Sequence, residues 1–421
     1  MSRRARRWAW AVAALVAAGA WVWLASRLWR TSVPGDLRLP DLSASNYFSH
    51  AELDRTRTFE RFERIDFLLS QAALVLALLV YSVRGRALVR ESAAGPIGTG
   101  LLLGMLAFGV VWLAQLPFEV AGVWWEHHYG VSKAGVVESV VDSWLSLGSV
   151  FLFVCVAIAI VMGLARPLGN RWWLAGAPVF VALGLLFTWV QPYLIPDVHR
   201  LRDPRLTAEA RQLARTERLP PIPVDVEDVH KFTDLPNAEA VGLGGSRRVV
   251  LWDTLLNDGF GPRQIRTVLA HELGHHAHGH LWKQVGWSAL TAFPLAFLIA
   301  LATARVGGMR VPTAVPLAVL VLILLQLVTS PLTTAVTRRM EAEADWSALR
   351  ATRDPTGARV LFQGFAKKAL EQPDPPGWWR LIAGDHPTIM ERIEMAREFQ
   401  ARRPRPGGPN RPGGSGGSGP R

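Results

Sequence analysis

The 421-residue chain is 50% hydrophobic and carries a formal net charge of +12, almost all of it on arginine. This hydrophobic share is too high for an ordinary soluble protein and indicates an integral membrane protein with the lipid bilayer as its main partner. The arginines are scattered between apolar runs, which is typical of helix-end anchors at a lipid surface, so nucleic acid is not an expected partner. The single cysteine, Cys155, excludes an intrachain disulfide and a zinc site built on thiolates.

Seven apolar runs are long enough to cross a bilayer, which takes roughly 17–25 helical residues. The first run follows four arginines and resembles a signal peptide. Because no small-residue cleavage site follows it, we expect a retained transmembrane helix. The predicted fold is therefore an all-α polytopic membrane protein with about seven transmembrane helices. The runs are 8–25, 67–83, 97–116, 145–164, 172–195, 286–304 and 314–330.

The same runs suggest a division into domains. Residues 1–195 form an N-terminal membrane region with five transmembrane helices, and residues 286–336 form a two-helix transmembrane hairpin. The polar segments 196–285 and 337–403 flank the hairpin and are predicted to be the two parts of one domain. Residues 404–421 are Pro, Gly, Ser and Arg with one Asn, a composition typical of a disordered tail.

The first polar segment mixes signals for strands and helices. Residues 223–229 are short and extended, and residues 247–252 are rich in β-branched side chains, as strands are. Residues 262–280 have a helical pattern that starts after a Gly-Pro pair. We therefore expect a small β-sheet beside a helix, and this helix carries the most informative motif of the chain.

The motif is His-Glu-Leu-Gly-His at residues 271–275. On a helix, His271 and His275 share one face, so that both imidazoles can bind one zinc ion at about 2.0–2.1 Å. Glu272 can reach a metal-bound water and act as general base, then protonate the leaving amine. This is the His-Glu-x-x-His arrangement of zinc proteases. The alternative is a merely polar helix face, since His276 and His280 have the same spacing without the glutamate.

A zinc protease needs a third protein ligand, with the fourth position left for water. The best candidates lie after the last apolar run, in residues 337–345. On a helix, Glu341 and Asp345 share a face, so Glu341 could bind zinc while Asp345 accepts a hydrogen bond from a ligand histidine. Glu343 is a competing ligand, and spacing alone leaves this choice open. A solvated charged helix without any metal is the other interpretation.

These motifs together resemble those of the type I CAAX prenyl proteases and the related HtpX-like membrane metallopeptidases. The resemblance rests on the His-Glu-Leu-Gly-His motif with Gly279-His280 after it, on the apolar hairpin, and on Arg-Arg-Met-Glu-Ala-Glu-Ala-Asp at 338–345. It extends over roughly residues 40–400. Further matching segments are 116–118, 236–238, 248–256 and 384–387.

The resemblance implies a ring of helices that enclose a large chamber, with a zincin-like domain and one Zn²⁺ per chain near one membrane face. It implies that Glu341 is the third zinc ligand and that Asp345 is the hydrogen-bond partner of a ligand histidine.

The resemblance also implies roles for residues that the sequence alone leaves undistinguished. Asn237 and Ala238 would lie on an edge strand that binds the substrate backbone by strand addition. His386 would donate a hydrogen bond to the oxyanion of the tetrahedral intermediate. Without the resemblance, Asn237 would be a turn residue and His386 a histidine placed before a proline. Glu239 stands where the family usually has an aromatic residue, so the substrate preference is not implied.

The predicted function is a membrane-embedded zinc metalloendopeptidase that hydrolyses peptides or membrane proteins, with processing or quality control as the expected role. For a bacterial chain, we expect a multi-pass protein of the plasma membrane. The alternatives are a catalytically silent scaffold or clearance factor with the same fold, and a transporter with a histidine-rich metal site. The complete set of metal-binding and catalytic residues argues against the first alternative, and the scarcity of polar residues in the spans argues against the second.

The orientation in the membrane stays open at this stage. With seven spans, the arginines at 3–7, 84–90 and 166–171 lie on one side, which the positive-inside rule assigns to the cytoplasm. The zinc domain would then lie outside. The family arrangement in eukaryotes instead places the zinc domain in the cytosol.

Overall fold

The computed structural model describes residues 3–88, 95–133, 135–257 and 259–402, so the tail predicted at 404–421 lies outside the described residues. Helices dominate these segments. They are α1 Arg3–Leu28, α2 His50–Arg84, α3 Gly95–Tyr129, α4 Val136–Leu168, α5 Trp173–Val190, α6 Pro204–Thr216, α7 Asp253–Asn257, α8 Pro262–Ala277, α9 His280–Ala304, α10 Val315–Thr352, α11 Pro355–Ala369, α12 Gly377–Ile382 and α13 Ile389–Ala401. The strands are β1 Val198–Arg200, β2 Val224–Glu227, β3 Ala238–Val241 and β4 Arg248–Trp252.

The long helices have the length and composition of membrane spans. Within the described residues, six helices are long and apolar enough to cross a bilayer: α2, α3, α4, α5, α9 and α10. Large apolar side chains point outward along them, and Leu76, Leu152 and Phe187 are each at least 60% exposed. Such a surface is stable only against lipid. The prediction of a polytopic helical membrane protein is therefore confirmed.

Helix α1 contains the seventh predicted span, but it is not among these six helices, because its apolar segment among the described residues, Leu15–Leu28, is shorter. It has 26 residues, which at about 1.5 Å per residue gives about 39 Å, more than the roughly 30 Å of a bilayer core. Its C-terminal end packs on α9, where Leu28 lies against Gly286. About two turns earlier in α1, the Trp21 indole donates a 3.0 Å hydrogen bond to the Leu290 carbonyl in α9. Because these contacts run in opposite directions along the chain, α1 and α9 are antiparallel.

Helix α10 is a single element of 38 residues. Its first half is the last apolar span, and its second half carries the acidic segment 337–345 without a break. The predicted domain boundary between residues 336 and 337 thus falls inside an unbroken helix. The second helix of the membrane hairpin and the acidic segment are consequently one continuous helix.

The four strands form one small mixed sheet in the order β1-β2-β4-β3. Strand β4 pairs in parallel with β2 and antiparallel with β3. Its residues Val249, Val250 and Leu251 are at most 2% exposed, as expected for a central strand covered on both faces. The strands predicted at 223–229 and 247–252 are confirmed as β2 and β4. Strand β3 lies at the edge of the sheet.

The hydrophobic core around α8 contains side chains from distant segments of the chain. Leu269 and Leu273 of α8 pack with Leu251 of β4, Leu349 of α10 and Ile393 of α13. Each of these side chains is at most 2% exposed. The sheet and α13 therefore press α8 against α10, which fixes the relative positions of the side chains on their shared face.

If α1 crosses the membrane, the two termini of the chain lie on opposite sides of it. A reporter that is active only in the cytoplasm, fused in turn at the N-terminus and after Arg402, should give opposite results. The same reporter inserted between α9 and α10, at residues 306–311, should report the side of the N-terminus. Identical signals from both termini would show that α1 does not cross the bilayer.

Candidate active site

The two motif histidines lie on the face of α8 that meets α10. Gly274 lies between them and packs against α10. A Cβ atom at Gly274 would lie 3.2 Å from the Ser347 Cβ, which is a tight contact, and 3.4 Å from the Ala344 Cα, which is ordinary van der Waals contact. The glycine of the motif therefore favours the close packing of α8 on α10 that brings the histidines near the acidic residues of α10.

His271, His275 and Glu341 bring one ligand atom each to a common point. The Nε2 atoms of the two histidines are 3.0 Å apart. The Glu341 carboxylate oxygens lie 3.1 Å from His271 Nε2 and 3.5 Å from His275 Nε2. A tetrahedral zinc ion at about 2.0–2.1 Å from each ligand needs ligand separations of about 3.3 Å. The donor set and its spacing thus fit a zinc ion, and this is the only such group of three among the described residues.

Asp345 and Arg392 support His271 on its Nδ1 side, away from the ligand cluster. The Asp345 carboxylate accepts a 2.9 Å hydrogen bond from His271 Nδ1, which leaves Nε2 free to bind a metal. Arg392 of α13 donates two hydrogen bonds of 2.8 and 2.6 Å to the same carboxylate. Burial disfavours a charged imidazole, but the hydrogen bonds to Asp345 and Glu341 raise the pKa of His271 to about 10. The role of Arg392 could not be predicted, because nothing in its sequence neighbourhood indicates contact with α10.

Glu272 lies beside the ligand cluster and is 6% exposed. Within the part of the chain that the structure describes, no side chain or amide donates a hydrogen bond to its carboxylate. Burial raises the pKa of Glu272, although the neighbouring histidines oppose this effect. A free carboxylate with a raised pKa has the properties of a general base that works near neutral pH.

His386 reaches the cluster from the loop before α13. Its Nε2 lies 3.2 Å from the Glu341 carboxylate, and its side chain is 48% exposed. The surrounding protein disfavours the charged imidazole, but hydrogen bonds to Asp385 and Glu341 raise the pKa of His386 to about 10. Arg338 of α10 fixes this loop, because its guanidinium donates to the Gly384 carbonyl. His386 is thus a hydrogen-bond donor held at the rim of the site.

A cleft of about 450 Å³ opens beside His386 and is lined by both Asn237 and His386. Asn237 directly precedes edge strand β3, and its carbonyl accepts a 3.0 Å hydrogen bond from the Trp252 amide. Hydrogen-bonded pairs alternate in an antiparallel ladder, so Ala238 and Ala240 point their backbone groups away from β4. Among the described residues, no hydrogen bond occupies these outward groups. The free edge of β3 can therefore accept another extended chain.

Glu343, the competing ligand, points away from the cluster. Its carboxylate lies 3.0 Å from His280 Nε2 and 2.7 Å from Lys283 Nζ. The structure therefore brings Glu341, and not Glu343, to the two motif histidines. A helix turns by about 200° over two residues, which separates the two carboxylates. Neither His280 nor Lys283 had a predicted role.

Comparison with known proteins identifies relatives of this chain. Residues 200–400 match the sequence model of peptidase family M48. The chain is 26% identical over 300 residues to the "uncharacterized metalloprotease YhfN" of Bacillus subtilis, a match that covers 68% of this chain and 70% of that protein. It is 27% identical over 175 residues to the "probable CAAX prenyl protease 1" of Schizosaccharomyces pombe, which covers 40% of this chain and 36% of that protein.

A third relative, CAAX prenyl protease 1 of Saccharomyces cerevisiae, is 33% identical over 119 residues, or 27% of this chain and 26% of that protein. The chain spans well under half the length of either yeast relative in these matches. Among solved structures, the crystal structure of S. mikatae Ste24p superposes with a TM-score of 0.69 and 19% identity. That superposition covers 90% of this chain and 96% of the other, which establishes a shared fold. Residues 200–400 therefore match peptidase family M48, and the chain is a membrane metalloprotease homologous to CAAX prenyl protease 1.

Proposed function

We propose that this protein is a zinc-dependent endopeptidase that cleaves peptides or membrane proteins at the surface of a bacterial plasma membrane, in processing or quality control. The observation that carries the proposal is the preformed cluster of His271, His275 and Glu341 beside the free carboxylate of Glu272. The match to a Bacillus subtilis metalloprotease supports a bacterial setting. Prenylated chains, which the names of the yeast relatives suggest, are not the expected substrates there.

The catalytic steps follow from the positions of the protein groups. His271, His275 and Glu341 would hold Zn²⁺, which when bound acidifies water and polarises the carbonyl of the scissile bond. Glu272 takes the proton of the attacking water and passes it to the leaving amine. His386 donates a hydrogen bond to the oxygen that becomes negative in the transition state. Asp345 keeps the proton of His271 on Nδ1 throughout.

The substrate chain would bind in an extended conformation along β3. The outward amide and carbonyl of Ala238 pair with it as a further strand, and Asn237 lies where this strand enters the cleft beside His386. Since these contacts involve only backbone groups, they impose little sequence preference. Hydrolysis is thereby limited mainly by which chains can reach the membrane-proximal cleft in an unfolded state.

Replacement of Glu272 by Gln should abolish peptide hydrolysis while the metal stays bound, because Glu272 is near the ligand atoms without being one of them. We expect the rate to fall by about 10²–10⁴-fold. The measurement is hydrolysis of an unfolded protein by purified enzyme, with zinc content determined in parallel and with a chelator-treated sample. Glu209→Gln is the matched control, because Glu209 of α6 forms a partly exposed ion pair with Arg266 of α8. Activity that survives both Glu272→Gln and chelation would refute the proposed zinc mechanism.

His386→Gln should lower kcat with little change in KM, since the proposed hydrogen bond strengthens only in the transition state. Loss of one such donor costs about 10²–10³-fold in kcat. His199→Gln provides the control, because His199 is a similarly half-exposed histidine that pairs with Asp228 away from the cleft. An equal loss in both variants, or a loss confined to KM, would remove His386 from this role.

Ala238→Pro should weaken substrate binding, because proline removes an outward amide while the ladder to β4 keeps its hydrogen bonds. The loss of one backbone hydrogen bond predicts an increase in KM of about 2–10-fold. Ala238→Gly retains the amide and should leave KM unchanged. If Ala238→Pro leaves KM unchanged in steady-state assays, while its Tm shows that it is folded, strand addition at β3 is excluded.

A further inference from the structure

The second motif histidine has its own hydrogen-bonded support, separate from the one that holds His271. His280 is the first residue of α9 and folds back onto His275, with the two Nδ1 atoms 2.9 Å apart. Gly279 makes this reversal possible, since its φ of 62° lies in the left-handed region that glycine adopts without strain. The His280 side chain is only 1% exposed. A histidine that is so deeply buried needs a partner for each of its ring nitrogens.

The chemistry of the two rings leaves one proton arrangement that suits metal binding. His275 presents Nε2 to the ligand cluster, so this nitrogen must be unprotonated and Nδ1 must carry the proton. His275 Nδ1 then donates to His280 Nδ1, which has to act as the acceptor. His280 must in turn carry its proton on Nε2, and that atom donates to the Glu343 carboxylate at 3.0 Å. Each ring thus fixes the proton position of the other.

Glu343 terminates this chain of hydrogen bonds and is itself held by several donors. Its carboxylate accepts from Lys283 Nζ at 2.7 Å and from the Ser32 backbone amide at 2.5 Å. Lys283 also donates to the Arg30 carbonyl at 3.1 Å. The side chain of Glu343 is 4% exposed. The segment that follows α1 therefore closes over the carboxylate and fixes its position.

We propose that His280 and Glu343 are positioning residues that hold His275 in the tautomer and orientation required for zinc, and so set the affinity of the site for the metal. The inference rests on the proposed zinc site and extends it to residues outside the ligand set. It assigns to Glu343 a role toward His275 like that of Asp345 toward His271. The alternative, that His280 simply fills space in the core, predicts a loss of stability without a specific loss of zinc affinity.

The test is a measurement of zinc affinity without any substrate, by competition with a chromophoric chelator on the full-length protein in detergent. His280→Phe removes the acceptor at similar volume and should weaken zinc binding by about 10–100-fold, the range seen when partners of metal ligands are removed. Glu343→Gln should weaken it by about tenfold for the same reason. His276→Phe is the matched control, because His276 is a buried histidine of α8 whose Nε2 lies 3.1 Å from the Arg248 carbonyl instead.

A further variant keeps the test decisive if His280→Phe fails to fold. His280→Gln offers an amide oxygen to His275 and an amide N–H to Glu343, and should retain zinc affinity within about threefold. Equal zinc affinities of His280→Phe and His276→Phe would overturn the proposal, as would a His280→Gln variant as weak as His280→Phe. The zinc-affinity measurement contains no peptide and does not depend on peptidase activity. If the unaltered protein lacked peptidase activity, the proposed function would be wrong, but the measured zinc affinities would still stand.

Discussion

The contact between α8 and α10 at Gly274 is the constraint on which the site depends. The two helices pack so closely that a Cβ atom at Gly274 would lie 3.2 Å from the Ser347 Cβ of α10. At this distance, histidines on α8 meet carboxylates on α10 directly, and the ligand atoms come within 3.0–3.5 Å of one another. The core around Leu273 and Leu349 supplies the burial that holds this approach.

Three buried carboxylates on one stretch of α10 contact three different sets of partners. Glu341 faces the two histidine Nε2 atoms, Asp345 holds His271 from one side, and Glu343 lies on the side of His275. Buried charges without partners are strongly destabilising, and here Arg392 and Lys283 lie against Asp345 and Glu343 respectively. These pairs therefore avoid the cost of uncompensated buried charges, and the same contacts orient the ligands.

The sequence predicted the features that depend on local spacing along the chain. It left open the features that depend on contacts between distant segments. Spacing along α8 predicted that His271 and His275 share a face, and apolar length predicted the long helices. The choice between Glu341 and Glu343 depended on which side of α10 meets α8, which only the packed structure, or a resemblance to a family, decides. Local spacing did not indicate the contacts of Arg392 and His280, although both belong to segments that match the family, because Arg392 comes from a separate helix and His280 from a chain reversal at Gly279. The proposed catalytic roles, including those of Asn237 and His386, remain predictions.

The unbroken helix α10 also has a consequence for biosynthesis. The motif histidines precede the membrane hairpin, and Glu341 and Asp345 follow it, about 70 residues later in the chain. A nascent chain that has made only α8 therefore holds two of the three ligands and lacks the carboxylate that orients His271. The metal site becomes complete only after both hairpin helices have entered the bilayer and α10 has docked. A chain that has not inserted both hairpin helices therefore lacks the complete set of residues that the proposed hydrolysis needs.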